Sequence, residues 1–121
     1  MRPHNITLAD DEPDALFLLN RLVSRMYPGS SVSMFSNAED ALVHILDRGA
    51  DLVITNHGMG EMSGAELIRI LRKKELVIPV IMISNNPAVA AEAEEAGADA
   101  FIEKSISTVE LEKAIKRYLP E

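Results

Sequence analysis

At several points in this chain a polar residue stands directly behind an apolar run. Asp10 and Asp11 follow Ile6 to Ala9, Asn56 follows Asp51 to Thr55, Ser84 follows Ile78 to Ile83, and Lys104 follows Ala100 to Glu103. Two adjacent carboxylates at a strand end can hold a hard divalent cation such as Mg2+, which prefers oxygen ligands. They can equally cap a following helix, where negative charge is favoured. A lysine so placed can neutralise an anion bound between strand ends, or be a surface residue at a strand terminus. A serine hydroxyl can donate to a phosphoryl oxygen, or serve the turn announced by Asn85-Asn86-Pro87. None of these is diagnostic alone; convergence on one edge of one sheet is what would join them.

The elements that must position these residues alternate along the whole chain. The apolar runs Ile6–Ala9, Val32–Phe35, Asp51–Thr55, Ile78–Ile83 and Ala100–Glu103 read as strands. Pro13 suits the first turn of a helix, where its missing N–H goes unused, and Leu16, Leu19, Leu22, Val23 and Met26 recur on one face of it until Tyr27-Pro28-Gly29. Ser36 with Glu39, Ser63 with Glu66, and Ser107 with Glu110 have capping-box spacing and open three further helices. Gly49 closes the second helix, Asn86-Pro87 opens an Ala- and Glu-rich helix that stops at Gly97, and the last helix runs to about Leu119. Gly-Ala-Asp recurs at 49–51 and 97–99 and marks two similar helix-to-strand turns. Strands alternating with helices imply an α/β fold, a parallel sheet covered on both faces, with function gathered at the carboxyl ends of the strands. The length fits one domain, 1–121.

Composition narrows the classes. The chain is 47% hydrophobic but only 4% aromatic, with no Trp, so the core must be Leu, Ile, Val, Ala and Met. It has no Cys, which rules out disulfides and thiolate metal sites. The start, Met1 to Asn5, shows no apolar run behind a basic flank, and no segment is long enough to span a bilayer, so a cytoplasmic address without membrane contact is expected. A net charge of −7 repels phosphate backbones and points away from nucleic acid, toward protein partners or small cations.

Taken together, the segments ADDEPD at 9–14, DLVIT at 51–55, GMGEMSGAELI at 58–68, IPVIMIS at 78–84 and GADAFIEK at 97–104 make the chain resemble response-regulator receiver domains of two-component phosphorelays over nearly all of its length. The resemblance implies a flavodoxin-like five-stranded parallel sheet of order 2-1-3-4-5 with helices on both faces. It also implies a site. Asp10 and Asp11 take the role of the acidic pair, Asp11 as the direct Mg2+ ligand; Asn56 stands at the phosphoacceptor position, and Gly58 supplies a backbone carbonyl to the metal. Ser84 is the hydroxyl that moves toward phosphate, Lys104 the paired cation, and Phe101 the switch aromatic, for which a core phenylalanine is an equally fair reading. Implied partners are a sensor histidine kinase or histidine phosphotransfer protein, or an output protein docked on the face of the fourth helix, fifth strand and fifth helix, around Ala88 to Ala96 and Phe101.

The chain departs from the family pattern at the centre. An aspartate attacks phosphorus through an ionised oxygen, and the amide of Asn56 has neither that charge nor a free nitrogen lone pair, so an aspartyl phosphate cannot form on it. Exchanging a charged oxygen for an amide carbonyl costs about 1–3 kcal/mol of Mg2+ binding, which is expected to be weakened. Gly60 and Ser105 replace common prolines, so no cis bond is expected after Lys104, and Asn85 replaces a small apolar residue. This scattered drift favours a naturally degenerate receiver that acts as an interaction module, without enzymatic turnover. The alternative is a phosphorylatable receiver whose acceptor Asp was exchanged for Asn, or whose Asn56 deamidates. A flavin or phosphatase site of the same strand order is disfavoured, because ADDEPD is acidic where a phosphate-cradling loop would be needed. His57 is expected to be a solvated loop residue, His4 and His44 lack metal-site spacing, and Met59 and Met62 are expected to anchor their loop. The chain ends at Glu121 without an output segment, as in a free-standing receiver or a piece of a longer regulator or hybrid kinase.

Overall fold

A computed structural model of the chain describes residues 3–104 and 107–120. In chain order the elements are β1 (Asn5–Ala9), α1 (Pro13–Met26), β2 (Ser31–Phe35), α2 (Ala38–Arg48), β3 (Leu52–Thr55), α3 (Gly64–Lys73), β4 (Val80–Ser84), a 3₁₀ turn (Pro87–Val89), α4 (Ala90–Ala96), β5 (Ala100–Glu103) and α5 (Thr108–Tyr118). All strand pairings are parallel, and the order is β2-β1-β3-β4-β5. The expected α/β flavodoxin-like sheet is therefore the observed one.

Alternation within the central strands divides the core in two. Val53, Val80 and Met82 face a layer made by Ala38, Ala41 and Ile45 of α2, Leu67, Ile68 and Leu71 of α3, and Ala93 and Ala96 of α4. Leu52, Ile54, Ile81 and Ile83 face the other way, onto Leu19, Leu22 and Val23 of α1 and Ile115 of α5. Strands buried on both faces need apolar residues at every position, which is why β3 and β4 read as unbroken runs. Each such side chain contributes about 1.5–3 kcal/mol by leaving water, so the sheet is a rigid platform for whatever its ends carry.

Several boundaries differ from the sequence expectation, each for a local reason. The second helix is capped by Asn37, whose side chain accepts from Asp40 N–H at 2.7 Å, and not by a Ser36–Glu39 box. Asn is at least as good a cap as Ser, and this start puts Ala38, Ala41 and Ile45 together on the buried face. The fourth strand begins at Val80 instead of Ile78, because Pro79 has no N–H for the ladder, although its carbonyl accepts from Val53 N–H at 3.0 Å. It also runs one residue further, so Ser84 is its last member, opposite Glu103. The third strand starts at Leu52, and Asp51 serves the turn before it. The box at Ser63 and Glu66 forms in both directions, at 2.8 and 3.1 Å, and Ser107 accepts from Glu110 N–H at 3.2 Å. Gly97 ends α4 in the left-handed region, φ 107°. The expectation for Ser105 lies outside the described residues.

Candidate functional site

Strand register brings the expected residues to one edge of the sheet. Ala9 pairs with Phe35 on one side and Thr55 on the other, Thr55 pairs with Met82, and Ser84 pairs with Glu103. Asp10 and Asn56 thus leave adjacent strands at the same level, with Ser84 one step further along β4 and Lys104 two steps further along β5. The ladders continue into them: Asp10 N–H donates to Phe35 O at 3.0 Å, Asn56 N–H to Ala9 O at 2.8 Å, and Lys104 N–H to Ser84 O at 3.1 Å. Strands lie about 4.8 Å apart, so three strand spacings span the group.

Asp10 is 1% exposed and both its oxygens are engaged. Oδ1 accepts from Glu12 N–H at 2.9 Å, and Oδ2 pairs with Lys104 Nζ at 2.9 Å. Asp10 thus takes the turn role that the sequence set beside cation binding, and adds a pairing with Lys104. Lys104 Nζ also bonds Glu12 Oε1, a partner that the sequence gave no reason to single out. Burial, the strongest single influence on Lys104, favours its neutral form. The bonds to Glu12 and Asp10 outweigh it and raise its pKa above the ordinary value.

Asp11 is exposed, and Asn56 and Gly58 lie beside it. Asn56 Nδ2 donates to Gly58 O at 3.1 Å and makes a longer contact, 3.4 Å, with Asp11 Oδ1. The residues expected to hold Mg2+ (Asp10, Asp11, Asn56, Gly58) are therefore neighbours, but as they stand they do not fit the cation. Asp10 is committed to Lys104 and Glu12, and Asn56 turns its nitrogen, not its oxygen, toward the remaining ligands. Among the described residues no three His, Cys, Asp or Glu side chains gather as a metal-binding group. Ser84 is buried, and its Oγ accepts from Asn86 N–H at 3.1 Å, which is the turn role; its proton remains to be donated. Phe101 is partly buried against the layer that includes Ala93 and Ala96 of α4.

The loop from Asn56 to α3 is anchored closely. Thr55 Oγ1 donates to Asn56 O at 2.9 Å, and Gly64 N–H donates to His57 O at 2.7 Å. A Cβ on Gly64 would stand 2.0 Å from Asn56 O, so only glycine fits where α3 meets the end of β3. Met59 is buried and Met62 packs partly against the same core, as expected of loop anchors. His57 is not the solvated residue its loop position suggested. Its Nε2 lies 2.8 Å from Glu92 Oε1 of α4, and Arg69 of α3 reaches Glu92 and Glu95 at 3.4 and 3.1 Å. The hydrogen bond with His57, opposed by partial desolvation, holds the Glu92 carboxyl below its usual pKa. Contacts such as His57–Glu92 and Lys104–Glu12 join distant segments through polar side chains, and no local pattern announces them.

Known proteins resemble this chain in sequence and in fold. The heme response regulator HssR of Staphylococcus saprophyticus is 33% identical over 93% of this chain and 50% of its own length. The transcriptional regulatory protein FixJ of Rhizobium meliloti is 33% identical over 97% of this chain and 57% of its own. The chain thus spans about half the length of these curated relatives. Among solved structures, the receiver domain of NtrX from Brucella abortus superposes with a TM-score of 0.84 at 30% identity, covering 95% of this chain and 98% of that one. Residues 6–116 match the response regulator receiver domain as a family, and the chain belongs to that family, as a receiver domain of two-component signalling.

Proposed function

We propose that this receiver operates without phosphorylation, as a protein-interaction module in which Asn56 holds the position of the phosphate-accepting aspartate. One observation carries the proposal: the residue at the carboxyl end of β3, level with Asp10 and beside Asp11, is a neutral carboxamide whose nitrogen faces the acidic side of the pocket. Phosphoryl transfer from a histidine or a small phosphodonor needs an ionised oxygen there. With none, Ser84 and Lys104 have no phosphoryl group to approach. In this reading Mg2+ binding is weakened, since an entering cation must displace the amide nitrogen.

The output surface is that of α4, β5 and α5, with Phe101 beside α4. Two features support a fixed signal from it. Glu92 and Glu95 tie α4 to His57 and Arg69, and Lys104 is drawn to Asp10 and Glu12. The partner is a sensor histidine kinase, a histidine phosphotransfer protein or an output protein, met in the cytoplasm. No helix among the described residues is long and apolar enough to cross a membrane, and the net charge of −7 opposes nucleic-acid binding.

The test is intact-mass measurement after incubation with a small-molecule phosphodonor and Mg2+. The native chain is expected to gain no phosphoryl group, and Asn56→Asp to gain one. A stable acyl phosphate on the native chain would overturn the proposal.

A further inference from the structure

Asn56 does more in this pocket than fail to react. Its Nδ2 lies 3.1 Å from Gly58 O and 3.4 Å from Asp11 Oδ1. A backbone carbonyl and an ionised carboxylate can only accept, so chemistry fixes the amide with its NH2 toward both. An amide NH2 carries partial positive charge and two donors on one atom. Here it faces the same two oxygens, the Asp11 carboxylate and the carbonyl of residue 58, that a divalent cation would take. Turning the amide over would set Oδ1 against these oxygens, leaving three acceptors face to face with no donor among them.

The lysine of the pocket is committed elsewhere. Lys104 sits between Asp10 and Glu12, so it does not compensate Asp11. The backbone around the amide is also held from both sides: Asn56 O accepts from Thr55 Oγ1, and His57 O accepts from Gly64 N–H at the start of α3. Removing the amide's hydrogen bonds therefore acts on a loop that is packed against α3.

We propose that the Asn56 carboxamide is a built-in substitute for the divalent cation, holding Asp11 and the carbonyl of Gly58 together so that the pocket keeps its shape without metal. The proposal rests on the reading above that Asn56 stands at the acceptor position. It adds that the stability of this domain depends little on Mg2+, and that one side-chain atom exchange makes it metal-dependent. In Asn56→Asp a third carboxylate faces Asp11 and Gly58 O with no donor between them, and only a bound cation restores the attraction.

Thermal unfolding of the native chain, Asn56→Asp and Asn56→Leu, each in chelator and in excess Mg2+, tests this. The native midpoint is expected to be the same in both media. Asn56→Asp should melt about 3–6 °C lower than the native chain in chelator and recover in Mg2+, because a ligand that binds only the folded state stabilises it. Asn56→Leu keeps the shape but has no donor, and should melt low in both media. In the native chain the Asn56 side-chain NH2 should also give proton resonances with slowed solvent exchange, unchanged on adding Mg2+. A native midpoint that rises with Mg2+ as much as that of Asn56→Asp overturns the inference, as does an Asn56→Asp chain that needs no Mg2+ to match the native one. Phosphoryl gain by the native chain strikes the proposed function instead, and is read in a separate measurement.

Discussion

Acidic residues stand at both ends of this sheet, and they are held in opposite ways. At the amino ends, Asp51 exchanges two bonds with Asn5, its N–H to Asn5 O at 2.7 Å and its carboxylate from Asn5 N–H at 2.7 Å. Asp99 does the same with Val80, both at 2.8 Å, and adds an ion pair with Arg72 at 3.0 Å. These acids answer backbone N–H groups, so wherever the strands pair they are satisfied. At the carboxyl ends, Asp10 and Asp11 meet mainly side chains, Lys104 and Asn56. Side-chain partners can be exchanged for a ligand's atoms; backbone partners cannot, short of unfolding. The same residue type is thus structural at one end and available for chemistry at the other.

The largest expected effect comes from breaking the buried pair. Lys104→Met leaves Asp10, 1% exposed, charged and without its cation. Such half-removed pairs cost about 3 kcal/mol or more, to be read from urea unfolding at neutral pH. The double variant with Asp10→Asn should recover most of the loss, because a neutral amide there needs no counter-ion. Failure of that rescue would mean that Lys104 acts through packing, and the contrast between the two ends would weaken.

Next comes the amino-end counterpart. Asp99→Ala removes the acceptor of Val80 N–H and the partner of Arg72 together, at a cost of about 2 kcal/mol. Adding Arg72→Met should not rescue it, since the backbone N–H of Val80 stays unpaired. A full rescue would place both ends in the same class.

This contrast also explains what could be read from the sequence. Continuous apolar runs at β3 and β4 are produced by burial on both faces, so strand type and order of elements were legible. The repeated Gly-Ala-Asp did mark two turns whose aspartates bond a strand backbone alike, although Gly49 and Gly97 differ in ψ, −178° and 19°. The polar residues behind those runs were legible as a group because parallel register carries them to one edge. Pairings within the group were not. Glu12 reaching Lys104, Glu92 reaching His57, and the amide of Asn56 turned toward Gly58 depend on rotamers and on helix placement, which no spacing encodes. The need for glycine at 64 arises from a close approach to Asn56 O, visible only once α3 is docked. The cap at Asn37 was missed because Ser36 and Glu39 fit a motif whose register the buried face of α2 overrules.

Alkaline titration gives a smaller effect with a defined sign. The folded pKa of Lys104 is raised above its unfolded value near 10.5. The stability this contributes is fully present below that unfolded value and is lost as pH rises through the folded one. Native unfolding free energy should therefore fall across that alkaline window more steeply than that of Lys104→Met with Asp10→Asn. Parallel curves would show that the ammonium is not held by these partners.

The smallest effect is the most telling for the carboxyl end. Asp11→Ala removes an exposed carboxylate whose contact with Asn56 Nδ2 is long, 3.4 Å, while the shorter bond to Gly58 O remains. Surface changes of this kind fall within about 0.5 kcal/mol, and the loss of one negative charge beside Asp10 works in the stabilising direction. Unfolding should thus be nearly unchanged, although Asp11 adjoins Asp10, the most buried acid among the described residues. The variant's Asn56 NH2 resonances should shift while those of Val80 and Asn5 N–H stay fixed. An acid that can be deleted without loss of stability is one whose place in the sheet is not structural; a drop comparable to that of Asp99→Ala would show that Asp11 belongs with the amino-end acids after all.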